Sequence, residues 1–553
     1  MPRKMPFQKY KAFQPVALPD RTWPDQVISH APRWCSVDLR DGNQALIEPM
    51  TPDEKLKMYL LLLELGFKEI EVGFPAASQT DFDFVRLIIE QDMIPEGVII
   101  QVLCQAREEL IIRTCEAVKG ARQVIFHLYN STSTLQRKVV FNMSREQVVQ
   151  LATDATAMVK AHTDVLQAEG TDVILEYSPE SYTATEMDFA VEICDAVMTV
   201  WQPTVAKKMI LNLPSTVEMA TPNIYADQLE WFIRHLPQRD KAVISLHTHN
   251  DRGTGVAASE LGLMAGADRI EGTLFGNGER TGNCDLITMA MNMFSQGVDP
   301  ELYLSDMPKI VAVSEECTKI PIHVRQPYAG ELVFTAFSGS HQDAIRKGMA
   351  RGESAGVWEV PYLPIDPTDV GGSYRETVRV NSQSGKGGVA FILESYFGVS
   401  LPRPLLLEFS PVIQKLSEGG GELKPDTIWD AFVNEFVEVE GPYRLIDYKV
   451  VANGERQVCE ARIKVGENEI DIRGEGNGPI DAFIAAMVET LNEPLNVIDY
   501  QEYALNEGSQ AQAICIIAIT DEADSKFYGV GLSQNTITAA FGSIIAAINR
   551  KWR

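Results

Sequence analysis

Eight times between Trp34 and Pro321, a short apolar run leads into a polar or glycine-rich loop and then into a longer segment of helical period. The runs are WCSVDL (34–39), EIEVGF (69–74), GVIIQVLC (97–104), QVIFHLY (123–129), DVILEY (172–177), KMILNL (208–213), AVISLH (242–247) and RIEGTLF (269–275). Runs this short and apolar read as buried strands, and the segments between them as helices. One of those segments opens Thr51-Pro52-Asp53-Glu54. That is a helix start: a capping hydroxyl, proline at the first helical position and acids in the first turn. Eight β-then-α units predict an α/β fold of the (β/α)8 TIM-barrel type. The open doubly wound sheet is disfavoured because no G-x-G-x-x-G follows the first run. Polar residues also gather at the C-terminal ends of nearly all the runs, where a barrel builds its site.

The chain of 553 residues is too long for that barrel alone. Its expected divisions are an N-terminal extension (1–33), the barrel (34–321), a mainly helical linker region (322–430) and a C-terminal α+β domain (431–553). The last contains an internal duplication. Ile446-Asp447-Tyr448 recurs as Ile498-Asp499-Tyr500; each copy runs through a strand-like alternation to a Gly-x-Gly (Gly474/Gly476, Gly529/Gly531) and ends in a helix with a small-residue face. Two copies are too few for a solenoid and predict a compact pseudo-twofold module.

A net charge of -27 repels phosphate backbones and excludes nucleic acid as an expected partner. No apolar run approaches the roughly 20 residues that span a bilayer. The opening MPRKMPFQKYKAF has basic residues but no apolar core of a secretory signal, so no membrane association and a cytoplasmic location are expected. The eight cysteines are scattered without a C-x-x-C pair, which argues against a zinc module or a disulfide framework.

The densest chemical signal is His247-Thr248-His249-Asn250-Asp251, ending the seventh run. Residues i and i+2 of a strand face one side, so two imidazoles in this spacing can hold one divalent ion together. The first run ends in Asp38-Leu39-Arg40-Asp41-Gly42-Asn43-Gln44, and the eighth leads into GNGERTGN, residues 276–283. In a closed barrel the first strand is two places from the seventh, with the eighth between them. Asp41, His247, His249 and Asn283 then form an all-N/O ligand set suited to Mg, Mn or Zn. Such a site leaves positions open for a chelating 2-oxo acid, whose keto carbon the ion polarises. Arg40 adds fixed positive charge where an oxyanion would develop. These residues leave the nucleophile open, a carbon acid or water.

SVDLRDGNQ, EVGFP, HLYNSTS, EYSPE, NLPSTVEM, HTHNDRGT and GNGERTGN resemble, in order, the barrel motifs of the 2-isopropylmalate synthase family. That family is grouped with homocitrate synthase, citramalate synthase and hydroxymethylglutaryl-CoA lyase. PVALPDRTWP, SGSHQDAIRKG, VPYLPIDPTDVG, RVNSQSGKGG and the C-terminal duplication resemble its long form, over nearly the whole chain. The resemblance implies an acyl-CoA:2-oxo acid acyltransferase that joins acetyl-CoA to 3-methyl-2-oxobutanoate, hydrolyses the thioester and begins leucine synthesis. By motif it carries the ligand roles onto Asp41, His247, His249 and Asn283, and alkoxide stabilisation onto Arg40. It places Gln44, His127, Ser178, Glu180 and Thr216 in the oxo-acid pocket, with Glu180 counted among the catalytic groups. It makes His341 the base for the acetyl methyl and counts Tyr362 among the catalytic groups, both from the linker region of the partner subunit. It also implies a homodimer and leucine as effector. In the C-terminal copies, the glycine-rich segments GEGNGP and GVGLSQN would then offer backbone N–H groups of Gly474, Gly476, Asn477, Gly529 and Gly531 to the effector's carboxylate.

Overall fold

The structure is a computed structural model and describes residues 5–352, 356–372, 386–417, 423–505 and 511–553. Most of the RVNSQSGKGG motif, residues 379–385, lies outside them. Two compact units result. One is Met1–Val333 with Thr368–Gly372; the other is Phe334–Pro367 with Ser373–Arg553.

The first unit is a closed parallel barrel in sequential order. Its strands are β1 (Arg33–Ser36), β2 (Glu69–Gly73), β3 (Ile99–Gln105), β4 (Gln123–Ser131), β5 (Asp172–Glu180), β6 (Met209–Ser215), β7 (Ala242–Thr248) and β8 (Arg269–Gly272). β8 pairs with both β7 and β1, which sets the first strand two places from the seventh. The helix start at Thr51 forms as its sequence dictates: Thr51 Oγ1 accepts from the Glu54 amide, and the Glu54 carboxylate accepts from the Thr51 amide.

Two expected strands end early. β1 stops at Ser36, and Asp38–Gly42 form a helical turn instead. Asp38 causes the bend: its buried carboxylate accepts from the Ser36 hydroxyl and from the Leu274 amide of the loop after β8. β8 stops at Gly272, where a side chain would collide with the Cys284 carbonyl oxygen 2.5 Å from an added Cβ.

Period-two alternation divides the barrel interior into layers. An apolar plug of Ile99, Ile125, Ile174, Ile210 and Val243 fills one level. Two residues further along these strands come Gln101, His127, Glu176, Asn212 and Ser245, all buried. Glu69 and Glu71 of β2 and Arg269 and Glu271 of β8 are buried with them. Bulky branched residues dominate the interior of most such barrels; here the middle of the barrel is charged.

In the second unit, the helices Gly339–Gly352, Lys386–Phe397, Arg403–Ser417 and Pro425–Phe432 bear out a largely helical middle region. The duplication follows as two βββα repeats. The first is β9 (Tyr443–Asn453), β10 (Arg456–Val465), β11 (Asn468–Gly476) and a helix Pro479–Leu491. The second is β12 (Asn496–Ala504), β13 (Ala513–Thr520), β14 (Lys526–Ser533) and a helix Thr536–Lys551. Each repeat makes an antiparallel three-stranded sheet, and both contribute to one apolar core that includes Cys459, Ile463, Phe483, Ile517 and Phe541.

The glycines of the repeats are a correction to the sequence reading. Gly474 and Gly476 end β11, and Gly529 and Gly531 sit within β14, paired to Ile517 and Cys515. They are strand residues, not an open turn. A Cβ on Gly474 would lie 2.2 Å from the Ala482 carbonyl oxygen, and one on Gly531 1.9 Å from that of Ala539. Their role is to let each helix lie against its sheet. The Asn477 amide is likewise engaged, donating to Asp481 at 2.8 Å.

All eight cysteines are buried and unpaired. Among the described residues no helix is long and apolar enough to cross a membrane.

Candidate functional site

The C-terminal ends of the barrel strands enclose a cavity of about 190 Å³, small by the standard of ligand sites and suited to a molecule of few heavy atoms. Arg40, Asp41, Gln44, His127 and Ser178 line it, as do Glu180, Thr216, His247 and His249. All nine were candidates by sequence.

The ligand candidates converge. One atom each of Asp41, His247 and His249 lie within 4.8 Å of one another, and all three residues are buried. Asp41 Oδ2 stands 3.2 Å from His247 Nε2 and 3.9 Å from His249 Nε2. Asn283 reaches this place because it forms a β-bridge with His249. Its amide nitrogen donates to the Asn277 carbonyl, whereas its buried Oδ1 has no hydrogen-bond partner among the described residues. An orphaned buried amide oxygen carries a desolvation cost that a cation would remove. That orphan beside a carboxylate and two imidazoles fits a hard or borderline divalent ion.

Charge at the site is fixed by burial and pairing. Burial works against ionised Asp41, but Arg40 and the two histidines outweigh it and hold the carboxyl well below the usual range. Burial likewise opposes the charge of Arg40, yet Glu71 and Asp41 secure it. Arg40 donates through Nη1 to Asp41 at 2.8 Å and through Nε to Glu71. Burial favours neutral His247, but its hydrogen bonds to Asp41 and Glu271 raise it to about 9. Burial and the adjacent His247 push His249 down to about 4, leaving it the neutral imidazole that ligation requires.

The remaining pocket residues are held in place. His127 Nε2 meets Ser178 Oγ at 2.7 Å, and Ser131 Oγ donates to Glu180 at 2.7 Å. Thr216 Oγ1 accepts from the Ser181 amide, so it caps a loop while facing the cavity. Arg280 ties three mouth loops together: it donates to Asp251 and to the Thr216 carbonyl, and Asp251 accepts from the Glu218 amide.

His341 and Tyr362 belong to the second unit, where their rings stack with centroids 4.0 Å apart.

Sequence reasoning missed the residues beneath the mouth: Glu71, Gln101, Asn212, Arg269 and Glu271. Glu71, His127 and Glu271 also cluster as three ligand-type groups. Their centre is already filled, because Gln101 Nε2 donates to both glutamates. Burial and the neighbouring Glu271 raise Glu176 well above the carboxylate range, while Arg269 overcomes burial to hold Glu271 well below it. The missed signal was in view: charged residues at alternate positions of runs that read as buried, EIE in β2 and RIE in β8.

Comparison with known proteins gives three family matches. Residues 31–313 match the HMGL-like family, 331–394 the "alpha-isopropylmalate synthase, post-catalytic domain-like" family, and 422–552 the "LeuA allosteric (dimerisation) domain". The chain is 53% identical to the 2-isopropylmalate synthase of Parafrankia sp. over 100% of its own length and 99% of that protein's. It is 54% identical to that of Rhodospirillum rubrum, covering 98% of both chains. To that of Clostridium acetobutylicum it is 53% identical, covering 99% of both.

Proposed function

The chain belongs to the 2-isopropylmalate synthase family, and from that premise we propose how its barrel condenses acetyl-CoA with 3-methyl-2-oxobutanoate. It is an acyltransferase. The acetyl methyl loses a proton, its carbon bonds to the keto carbon, the resulting alkoxide takes up a proton, and water cleaves the thioester to give 2-isopropylmalate and CoA.

Asp41, His247, His249 and Asn283 hold a divalent cation, and their N/O donor set takes Mg, Mn or Zn. When bound, the cation supplies Lewis-acid polarisation of the keto group. Arg40, its charge secured by Glu71 and Asp41, stabilises the oxygen on which negative charge develops. Gln44, His127, Ser178 and Thr216 orient the oxo acid in the cavity, and Glu180 stands at the same wall. His341, with its ring stacked on Tyr362, takes the proton of the acetyl methyl. That proton is weakly acidic, so a base must be positioned at it.

The active protein is a homodimer located in the cytoplasm. The C-terminal repeats bind leucine as the inhibiting end product. The glycines of the repeats also let each helix lie against its sheet.

The observation that carries this reading is the convergence of Asp41, His247 and His249 beside the orphaned Asn283 Oδ1. The test is release of CoA from acetyl-CoA with a panel of 2-oxo acids, with and without chelator and leucine. Fastest release with 3-methyl-2-oxobutanoate, abolished by chelator and reduced by leucine, is expected. No thiol release with any oxo acid would refute the condensation.

A further inference from the structure

At the floor of the mouth and beneath it, six side chains from six strands form a closed circuit of hydrogen bonds. Gln101 Nε2 donates to Glu271 at 2.8 Å and to Glu71. Glu71 Oε2 lies 3.0 Å from His127 Nδ1, and His127 Nε2 lies 2.7 Å from Ser178 Oγ. Asn212 Nδ2 donates to Ser178 at 3.0 Å and to Glu271 at 3.1 Å, which closes the ring. Two branches leave it. Arg269 donates to Gln101 Oε1 at 2.7 Å and to Glu271 at 2.8 Å, and Glu271 Oε2 lies 2.8 Å from His247 Nδ1.

Counting hydrogens orients the whole circuit. Arg269 has only donors, so the Gln101 oxygen must face it and the Gln101 nitrogen must face the two glutamates. Ionised glutamate only accepts, so His127 Nδ1 and His247 Nδ1 each carry the hydrogen they share with Glu71 or Glu271. The charge of Glu271 forces the Asn212 nitrogen toward it, and both Asn212 hydrogens are then spent on Glu271 and Ser178. The Ser178 hydroxyl is left to donate to His127 Nε2. No member of the ring can reverse without placing donor against donor or oxygen against carboxylate.

We infer that Glu71 and Glu271 are positioning residues, each fixing an Nδ1–H form of one mouth histidine, so that His127 Nε2 is set to accept from the Ser178 hydroxyl and His247 Nε2 is turned toward Asp41. Gln101, Asn212 and Arg269 lock the two glutamates to each other. The labour is divided. Glu271 acts on His247, the ligand candidate, whereas Glu71 acts on His127 and Arg40, the pair that faces the oxo acid. This inference rests on the assignment of the barrel mouth as the condensation site, and it is tested through binding alone so that it can fail separately.

The test compares Glu271→Gln and Glu71→Gln in the full chain by calorimetry, with Zn2+ titrated into metal-stripped protein and 3-methyl-2-oxobutanoate into Zn-loaded protein. Outer partners of ligating histidines are worth roughly 10–100-fold in metal affinity. Glu271→Gln is therefore expected to weaken Zn2+ binding by about that factor, whereas Glu71→Gln leaves it within about twofold and weakens the oxo acid by about tenfold or more. Equal losses of Zn2+ affinity in both variants, or unchanged binding in both, would overturn the division. Should either variant fail to fold, imidazole 15N shifts of the wild-type protein decide. An Nδ1–H form of His127 and Nε2 ligation of Zn2+ by His247 are expected; the opposite tautomer at either ring overturns the inference. Absence of CoA release with this binding pattern intact would sink the condensation and leave the positioning roles standing.

Discussion

The middle of the barrel and the interior of the C-terminal repeats are both shut off from solvent, but they are filled with opposite materials. In the barrel, Arg269 is fully buried among Glu69, Glu176 and Glu271, with Gln101 and Ser245 completing its contacts. In the repeats, Ile463, Phe483, Met487, Ile517, Phe541 and Ile544 pack in a cluster of apolar side chains. Apolar contact is non-directional and degrades by degrees when a methyl group is lost. A buried ionic network is directional and fails as a unit, because removing one partner strands the others. The barrel interior is thus organised to hold imidazoles and a guanidinium in set orientations, and the repeat interior to hold two sheets and two helices together.

The sharpest way to break this comparison is Arg269→Met, which keeps an unbranched side chain while removing the guanidinium that bridges Glu69, Glu176 and Glu271. Stranding buried carboxylates in this way costs about 3–5 kcal/mol, read as a lowered urea midpoint. A loss below about 1 kcal/mol, within the range of surface pairs, would mean that the charged layer is not under tension and that the contrast is one of composition alone.

Gly531→Ala probes the other interior, where the expected fault is steric. The added Cβ would sit 1.9 Å from the Ala539 carbonyl oxygen, so the helix Thr536–Lys551 must move off β14. Overpacking of this kind costs about 1–3 kcal/mol, and faster amide exchange along β13 and β14 would report it. Gly474→Ala meets the Ala482 carbonyl oxygen at 2.2 Å in the first repeat and should cost about as much. Markedly unequal losses would show that the two repeats, though alike in sequence, do not share one packing.

The contrast also explains what could be read from the chain beforehand. The eight strands, the capped helix at Thr51 and the meeting of Asp41, His247 and His249 were legible because strand period, capping chemistry and barrel closure are local or topological rules. The Asp38–Gly42 turn was not, since it depends on an amide of Leu274 more than two hundred residues away. Gly474, Gly476, Gly529 and Gly531 were misread as turn formers because a glycine needed for close approach looks the same in sequence as one needed for a turn. Glu71 and Glu271 were passed over because an isolated acid in a strand says nothing of its partner; the six-strand circuit exists only once the barrel closes.

The smallest expected effect sharpens the comparison most finely. Ile517→Val in β13 and Ile125→Val in β4 each remove one methylene from a fully buried side chain. Ile517 lies in the repeat core, and Ile125 lies in the apolar plug one layer from His127. If the difference belongs to the layer and not to the domain, both variants lose about 0.5–1.5 kcal/mol, and their urea midpoints fall by similar amounts. A loss several times larger for Ile125→Val would mean that strain from the charged layer passes through the plug. In that case the whole barrel interior, and not only its ionic middle, behaves as one directional unit.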